Sequence, residues 1–314
     1  MIEVFKTNCL TGKLEKTKDI VKGTWINILA PDNKEIDFIA KKLNISEHLL
    51  RYSLDLSEKA HIDLEDESVL ISVDVPITEY QDNRNIYTTI PLGLILVKDD
   101  YFITISQSKI DVVTEIMNTS KEFEICTDKK SRLVFQLLYK IAAEYIKYMS
   151  YISRDIDKFE KNMQKSMKNS ELLSLLDFEK TMIYFNTSIK ANQSVLQKIA
   201  RGKVIKLYEE DEDILDDTII ENRQAIEMVQ TYGEILNGII DIFGTIVSNN
   251  LNTVLKFLTS ITIIIAIPTL IASVMGMNVQ FPFNTGTIGF YGVMGVMLLV
   301  TILTAMFLKK SDML

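Results

Sequence analysis

The hydrophobic pattern changes character near residue 122. Up to that point, apolar positions come in short β-branched runs that partly alternate with polar ones, and these predict strands. The runs are Ile2–Phe5, Trp25–Leu29, Val69–Val75, Gly93–Val97 and Tyr101–Ile105, each bounded by Gly, Pro, Asp or Asn. Between them, Asp32–Leu43 and Ser46–Leu54 carry helical periodicity, with Asp32 and Ser46 placed as N-caps. From about Ser131 the period lengthens. Leu133, Leu137, Ile141, Tyr145 and Tyr148 keep one helical face apolar, and Leu172, Leu176, Phe178, Met182 and Phe185 open another. An acidic run (Glu209, Glu210, Asp211, Glu212, Asp213, Asp216, Asp217) breaks this pattern, and the tip of a helical hairpin is its simplest place. Beyond it one helix is predicted for about sixty residues, to Met277. That is longer than an ordinary globular helix, so it needs partners along its length.

The last part of that helix is uncharged. Phe257–Met277, and then Ile288–Leu308, each run at 1.5 Å per residue to about 30 Å, the thickness of a bilayer core. Lys256 opens the first span and Lys309 and Lys310 close the second, whereas the loop Asn278–Thr287 carries no charge. The positive-inside rule therefore puts both termini in the cytoplasm of a multi-pass protein of the plasma or inner membrane. Met1–Lys6 has no apolar signal core, which agrees with a cytoplasmic N-terminal region. Phe281, Phe283, Phe290 and Tyr291 gather where an outer aromatic belt is expected. The expected architecture is an α+β cytoplasmic domain followed by a long α-helical stalk and two C-terminal transmembrane helices. Its parts are residues 1–122 (α/β domain), 123–256 (helical hairpin and stalk), 257–277 (first span), 278–287 (outer loop), 288–308 (second span) and 309–314 (basic cytoplasmic tail).

Composition narrows the function. The chain has 314 residues and a net charge of −8, and no cluster of Lys and Arg stands out, so nucleic acid is not an expected partner. Cys9 and Cys126 lie far apart without a CxxC or a histidine companion, which supports neither a disulfide framework nor a zinc site. There is no GxxxxGK[ST] loop, and His48 and His61 stand alone, so neither an enzyme nor an organic cofactor is expected.

One stripe of the long helix is unusual for a lipid-spanning segment. A seven-residue step links Glu227, Glu234, Asp241, Ser248, Leu255, Thr262 and Thr269, and Asn252, Thr259, Ala266 and Ser273 interleave as a second coiled-coil seam would. Within the membrane the stripe reads Thr259, Thr262, Ala266, Thr269, Ser273, all small and four of them hydroxylated. Such a stripe fits a water-filled axis. It fits equally a helix-packing surface, or hydroxyls bonded to their own i−4 carbonyls. Two helices cannot enclose an aqueous path, so a pore needs several copies around a rotation axis.

Gly276-Met277-Asn278, at the outer end of the first span and just before an aromatic loop with Pro282, resembles the tripeptide of the CorA family of magnesium channels. The segment Ile267–Asn278 also looks like that family's first span, and Lys309-Lys310 like its basic tail. The resemblance implies a funnel-shaped homopentamer that carries Mg2+ inward, and also Co2+ or Ni2+, with Gly276, Met277 and Asn278 as the selectivity filter. Asn252, Leu255, Thr259, Thr262, Ala266, Thr269 and Ser273 would line the pore. A ring of amide oxygens suits Mg2+, which gives up its waters reluctantly. Gly276 would allow a tight turn there, or act as a helix C-cap. Entry down an inside-negative potential yields about 4.6 kcal/mol per 100 mV for a divalent ion, so no chemical fuel is required.

By the same resemblance, cytoplasmic Mg2+ acts also as a regulator, with Asp216 or Asp217 as half of a sensor completed by the next subunit. Glu234 and Asp241 would collect cations in the funnel. The alternative for the acidic run is a solvated helix tip. The loop 279–287 lacks the acidic residues of several family members, which weakens cation concentration there. Proton-coupled Zn2+ transport on the same scaffold is the competing function.

Overall fold

In the computed structural model the described residues are all but 9–11, 66, 82–83, 99, 119–124, 164–168, 203, 278–285 and 314; at 81, 84, 162–163 and 169–172 only the backbone is described. The chain divides into two units, Met1–Gly238 and Ile239–Leu314. In chain order the first contains β1 (Ile2–Thr7), β2 (Leu14–Thr17), β3 (Thr24–Leu29), α1 (Asn33–Leu43), α2 (Glu47–Tyr52), β4 (His61–Glu65), β5 (Ser68–Gln81), β6 (Arg84–Val97), β7 (Tyr101–Ser106), α3 (Asp111–Asn118), α4 (Lys130–Met163) and α5 (Asn169–Ala200). Helix α6 (Glu209–Met275) begins in this unit and continues into the second, which also holds α7 (Gly286–Lys310).

The strands form one seven-stranded sheet, ordered β2-β1-β3-β7-β6-β5-β4. Only β3 and β7 run parallel; the other neighbours are antiparallel. Strands β2 and β4 and helix α3 are elements that the hydrophobic pattern did not announce. β2 reads Leu14-Glu15-Lys16-Thr17, a mostly polar edge strand held by its ladder to β1. Such an edge lacks the alternation that marks a half-buried strand.

Alternation decides the layers. Ile26, Ile28, Leu70, Ile95, Val97, Ile103 and Ile105 share a core with Ile36, Ile39 and Leu43 of α1 and with Leu49 and Leu50 of α2. Asp32 and Glu35 close a capping box on α1, and Ser46 caps α2. Gly93 is required where α2 ends against the sheet, because a Cβ there would collide with the Ser53 side chain and with Ile105.

The predicted apolar face of α4 is buried at Leu133, Leu137, Ile141, Tyr145 and Tyr148. On α5 the expectation needs correction. Leu175 is buried at 2% exposure while Leu176 is 50% exposed, because the face that holds Met182 and Phe185 steps back through Phe178 to Leu175. The side chain of Leu172 lies outside the described residues. The acidic run also differs from the expectation. It does not interrupt the helical pattern but opens α6 at Glu209, and residues 201–208 make the connection from α5. Carboxylates in a first helical turn face the exposed N–H groups and the positive end of the dipole, so the run favours helix there.

Helix α5 also closes a gap in the sheet. β4 starts at His61, opposite Ser72, so among the described residues β5 beyond Ser72 has no strand on that side. The carboxamide of Asn192 takes the place of the missing backbone. It accepts from Asp74 N at 2.9 Å and donates to Asp74 O at 2.8 Å, and the Tyr145 hydroxyl adds a second donor to that carbonyl at 3.0 Å. The Asp74 carboxyl, 9% exposed, is buried beneath them.

Candidate ion-conduction site

Helix α6 runs 67 residues without a break, through Pro268. Every position of the seven-residue step, Glu227, Glu234, Asp241, Ser248, Leu255, Thr262 and Thr269, is exposed along it. So are Asn252, Thr259, Ala266 and Ser273. Within the second unit, the covered side of α6 is a different one. Ser260 is fully buried, and Ile261, Ile263, Ile264, Ile267, Pro268 and Ile271 are partly buried. Partly or fully buried positions of α7 recur at helical spacing through Val293, Met297, Val300, Thr304 and Leu308. Ile264 lies with Ile302, Ala305, Met306 and Lys309 of α7 around one open recess, so the isoleucine face meets α7. The second span therefore covers isoleucines and leaves the hydroxyl stripe open. Packing between the two spans of one chain is not what the stripe is for.

The alternative of self-bonded hydroxyls is realised at two positions. Thr262 Oγ1 donates to Leu258 O and Thr269 Oγ1 to Ile265 O, both at 2.8 Å. Thr301 and Thr304 of α7 make the same i−4 bonds. A hydroxyl that donates backwards still carries lone pairs, so Thr262 and Thr269 present acceptors on the exposed stripe. Acceptors are what a hydrated cation requires of a wall, since its first-shell waters point their hydrogens outward.

At its C-terminal end, α6 stops at Met275. Gly276 N continues the ladder to Ala272 O at 2.9 Å, and Met277 N turns more tightly to Val274 O at 3.3 Å. Gly276 does not take the left-handed conformation of a C-cap glycine, which corrects that expectation. A Cβ at Gly276 would lie 3.3 Å from the Ala272 carbonyl oxygen, so close approach is what glycine provides there. Asn278, and with it the loop to residue 285 that includes Phe281 and Phe283, lies outside the described residues. Phe290 and Tyr291, at the start of α7, are exposed and stack edge to face at 5.7 Å. At the opposite end of the apolar segment, Asn252, Leu255 and Thr259 share a concavity of about 410 Å3 with Asn249, Thr253, Lys256 and Met313.

The acidic residues are not gathered into a metal centre by one chain. Among the described residues no three His, Cys, Asp or Glu side chains converge. Asp216 and Asp217 are exposed in the early turns of α6, as Glu234 and Asp241 are further along. Two members of the run have another task. Glu210 reaches Lys129 at 3.1 Å and Arg132 at 3.6 Å, and Asp211 lies 3.9 Å from Arg132. The hydrogen bond from Lys129 holds the Glu210 carboxyl below its ordinary range, whereas burial pushes that of Asp211 up. These contacts tie the start of α6 to the start of α4, so the run is not wholly a solvated tip.

Sequence reasoning missed Ser260, whose hydroxyl donates to Met313 O at 2.6 Å. The available signal was a hydroxyl on the isoleucine face, one residue out of the stripe.

Known proteins share this arrangement. The family model for the CorA-like Mg2+ transporter protein matches residues 22–310. The cobalt/magnesium transport protein CorA of Methanocaldococcus jannaschii is 27% identical over 297 residues, covering 91% of this chain and 90% of the relative. That of Thermotoga maritima is 23% identical, with 98% of this chain and 88% of the relative covered. The complete structure of the M. jannaschii CorA magnesium transporter superposes with a TM-score of 0.82 at 24% identity, over 98% of this chain and 96% of the other. The full-length CmaX protein shares the fold at a TM-score of 0.68 and 13% identity, covering 96% of each chain. The order of sheet domain, long helix and paired apolar helices, together with the family match over most of its length, places this chain in the family of CorA-like Mg2+ transporter proteins.

Proposed function

We propose that this chain assembles as a homopentamer in the plasma or inner membrane and conducts hydrated Mg2+, and Co2+ or Ni2+ less selectively, into the cytoplasm. Both termini are cytoplasmic in this reading. One observation carries it: every position of the polar stripe from Asn252 to Ser273 lies among the residues of α6 that α7 leaves exposed. Five such stripes around an axis make a wall of small side chains and hydroxyl acceptors, with Asn278 as the outer amide ring. The names of the relatives, cobalt/magnesium transport proteins, support the choice of ion.

Closure by cytoplasmic Mg2+ belongs to the same reading. Asp216 and Asp217 make no ion pair among the described residues, so a cation shared with a second subunit is free to use them. An ion that binds the closed arrangement more tightly than the open one shifts the population toward closure. Glu234 and Asp241, exposed on the axial side of α6, raise the cation concentration ahead of the inner mouth.

The test is flux into liposomes that contain the purified assembly and a trapped Mg2+ indicator, with competing Co2+ and Zn2+. Asn278→Ala is expected to abolish Mg2+ entry while the oligomer still assembles, and normal entry would remove the selectivity role. Zn2+ movement that requires a pH gradient, without Mg2+ flux, would replace this reading by the proton-coupled one.

A further inference from the structure

Helix α7 ends in a helix-terminating turn with a defined geometry. Met313 N bonds back to Leu308 O at 3.1 Å, Ser311 N bonds to Phe307 O at 3.1 Å, and Asp312 takes a left-handed conformation with φ of 51°. A six-to-one bond across a left-handed residue is the Schellman motif, which holds the Met313 backbone against the end of the helix. Met313 O accepts the Ser260 hydroxyl at 2.6 Å. Ser260 is fully buried, Leu308 is 4% exposed and Met313 is half-buried, so the bond sits at the edge of the contact between the two helices.

Its neighbours make the bond relevant to conduction. Ser260 follows Thr259 directly, and Met313 borders the same concavity as Asn252, Leu255, Lys256 and Thr259. The other covered positions of α6 and α7 are mainly apolar, and the hydroxyls of Thr301 and Thr304 donate back within α7, so they give α6 no directional bond. A single directional bond at one end therefore fixes both the rotation and the height of α6 relative to the outer span.

We propose that Ser260 is a positioning residue for conduction: through Met313 O it clasps the pore helix to the end of the second span, and so sets the inner mouth formed by Asn252, Leu255 and Thr259. The inference rests on the channel reading above. It differs from a general stabilising role in what it leaves alone. Ion selection occurs at the far end of the helix, so loss of the clasp lowers the maximal flux and leaves the half-saturating external Mg2+ concentration as it was.

The experiment uses the full-length assembly in liposomes with a trapped Mg2+ indicator. Ser260→Ala removes the donor. Asp312→Val breaks the turn from an exposed position, because a β-branched residue resists positive φ, while Asp312→Gly keeps it. Ser260→Ala and Asp312→Val are each expected to lower maximal flux roughly fivefold, the scale of one hydrogen bond. The double variant is expected to fall no further, and Asp312→Gly to match the unmodified protein. Wild-type flux in both Ser260→Ala and Asp312→Val, multiplying losses in the double variant, or a raised half-saturation concentration would overturn the clasp while leaving the channel intact. Absence of flux in the unmodified protein would instead overturn the channel reading, and the clasp with it. Should Ser260→Ala fail to assemble, the comparison of Asp312→Val with Asp312→Gly decides alone.

Discussion

Asn192→Ala tests whether the sheet is held closed at its open edge by a side chain. The substitution removes an acceptor 2.9 Å from Asp74 N and a donor 2.8 Å from Asp74 O, at a residue only 4% exposed. The two losses are unequal. Asp74 O keeps the Tyr145 hydroxyl at 3.0 Å, so it loses one bond of two, worth about 1 kcal/mol. Asp74 N is left buried without a partner, which costs about 1–3 kcal/mol. The sum is a destabilisation of about 2–4 kcal/mol. Tyr145→Phe should cost less, about 1 kcal/mol, because the carbonyl keeps Asn192 and the ring keeps its packing against Phe185. The double variant should cost more than the sum, since only then does the carbonyl lose both donors. Urea unfolding of the detergent-solubilised protein, followed by the fluorescence of the single tryptophan, reads this directly; Trp25 is fully buried in the same sheet. A midpoint shift worth under about 0.5 kcal/mol for Asn192→Ala, or Tyr145→Phe as costly as Asn192→Ala, would refute the idea that the carboxamide stands in for a strand.

Three further outcomes are expected. Burial raises the Asp74 carboxyl above its ordinary value of 3.8, so the folded state binds a proton more readily than the unfolded one and stability falls as pH rises from about 3.8 through the raised value. Asp74→Asn should remove that fall and give a higher urea midpoint at neutral pH; an unchanged pH profile would show that Asp74 is not its source. Thr262→Val together with Thr269→Val should reduce Mg2+ flux several-fold, whereas Thr301→Val, which removes the same i−4 bond from α7, should not; equal effects would mean that helix geometry and not the stripe is at stake. Asp216→Asn combined with Asp217→Asn should move closure to higher cytoplasmic Mg2+ concentrations in the liposome assay, and unaltered inhibition would return both residues to plain solvation.

What was legible in the chain was local. Asp32 and Ser46 announce their helices because a cap acts within three residues of itself. The stripe from Asn252 to Ser273 was legible for the same reason, since spacing along one helix requires no knowledge of what lies opposite. Leu176 was misplaced by one position because adjacent leucines at Leu175 and Leu176 satisfy a helical face about equally well, and only packing chooses between them. The edge strand β2 was hidden by its polarity. Long-range pairings were not legible at all: Asn192 meets Asp74 across 118 residues, and Ser260 meets Met313 across 53. Neither pairing leaves a periodic trace, because each joins a single polar side chain to a backbone group.

The two faces of α6 also bear on how the proposed assembly would form. Ile261, Ile263, Ile264, Ile267 and Ile271 are partly covered, whereas the hydroxyl stripe is exposed among the described residues. A bare polar stripe in hydrocarbon would oppose insertion of a lone subunit. The i−4 bonds of Thr262 and Thr269 ease that conflict, because each hydroxyl proton already has an acceptor before any neighbour arrives. What remains on the surface are lone pairs, which lipid tolerates better than unpaired donors and which the waters of a hydrated cation satisfy after assembly. In the proposed channel, the same bonds that made the stripe ambiguous as a pore lining would thus allow one helix to face lipid first and an aqueous axis later.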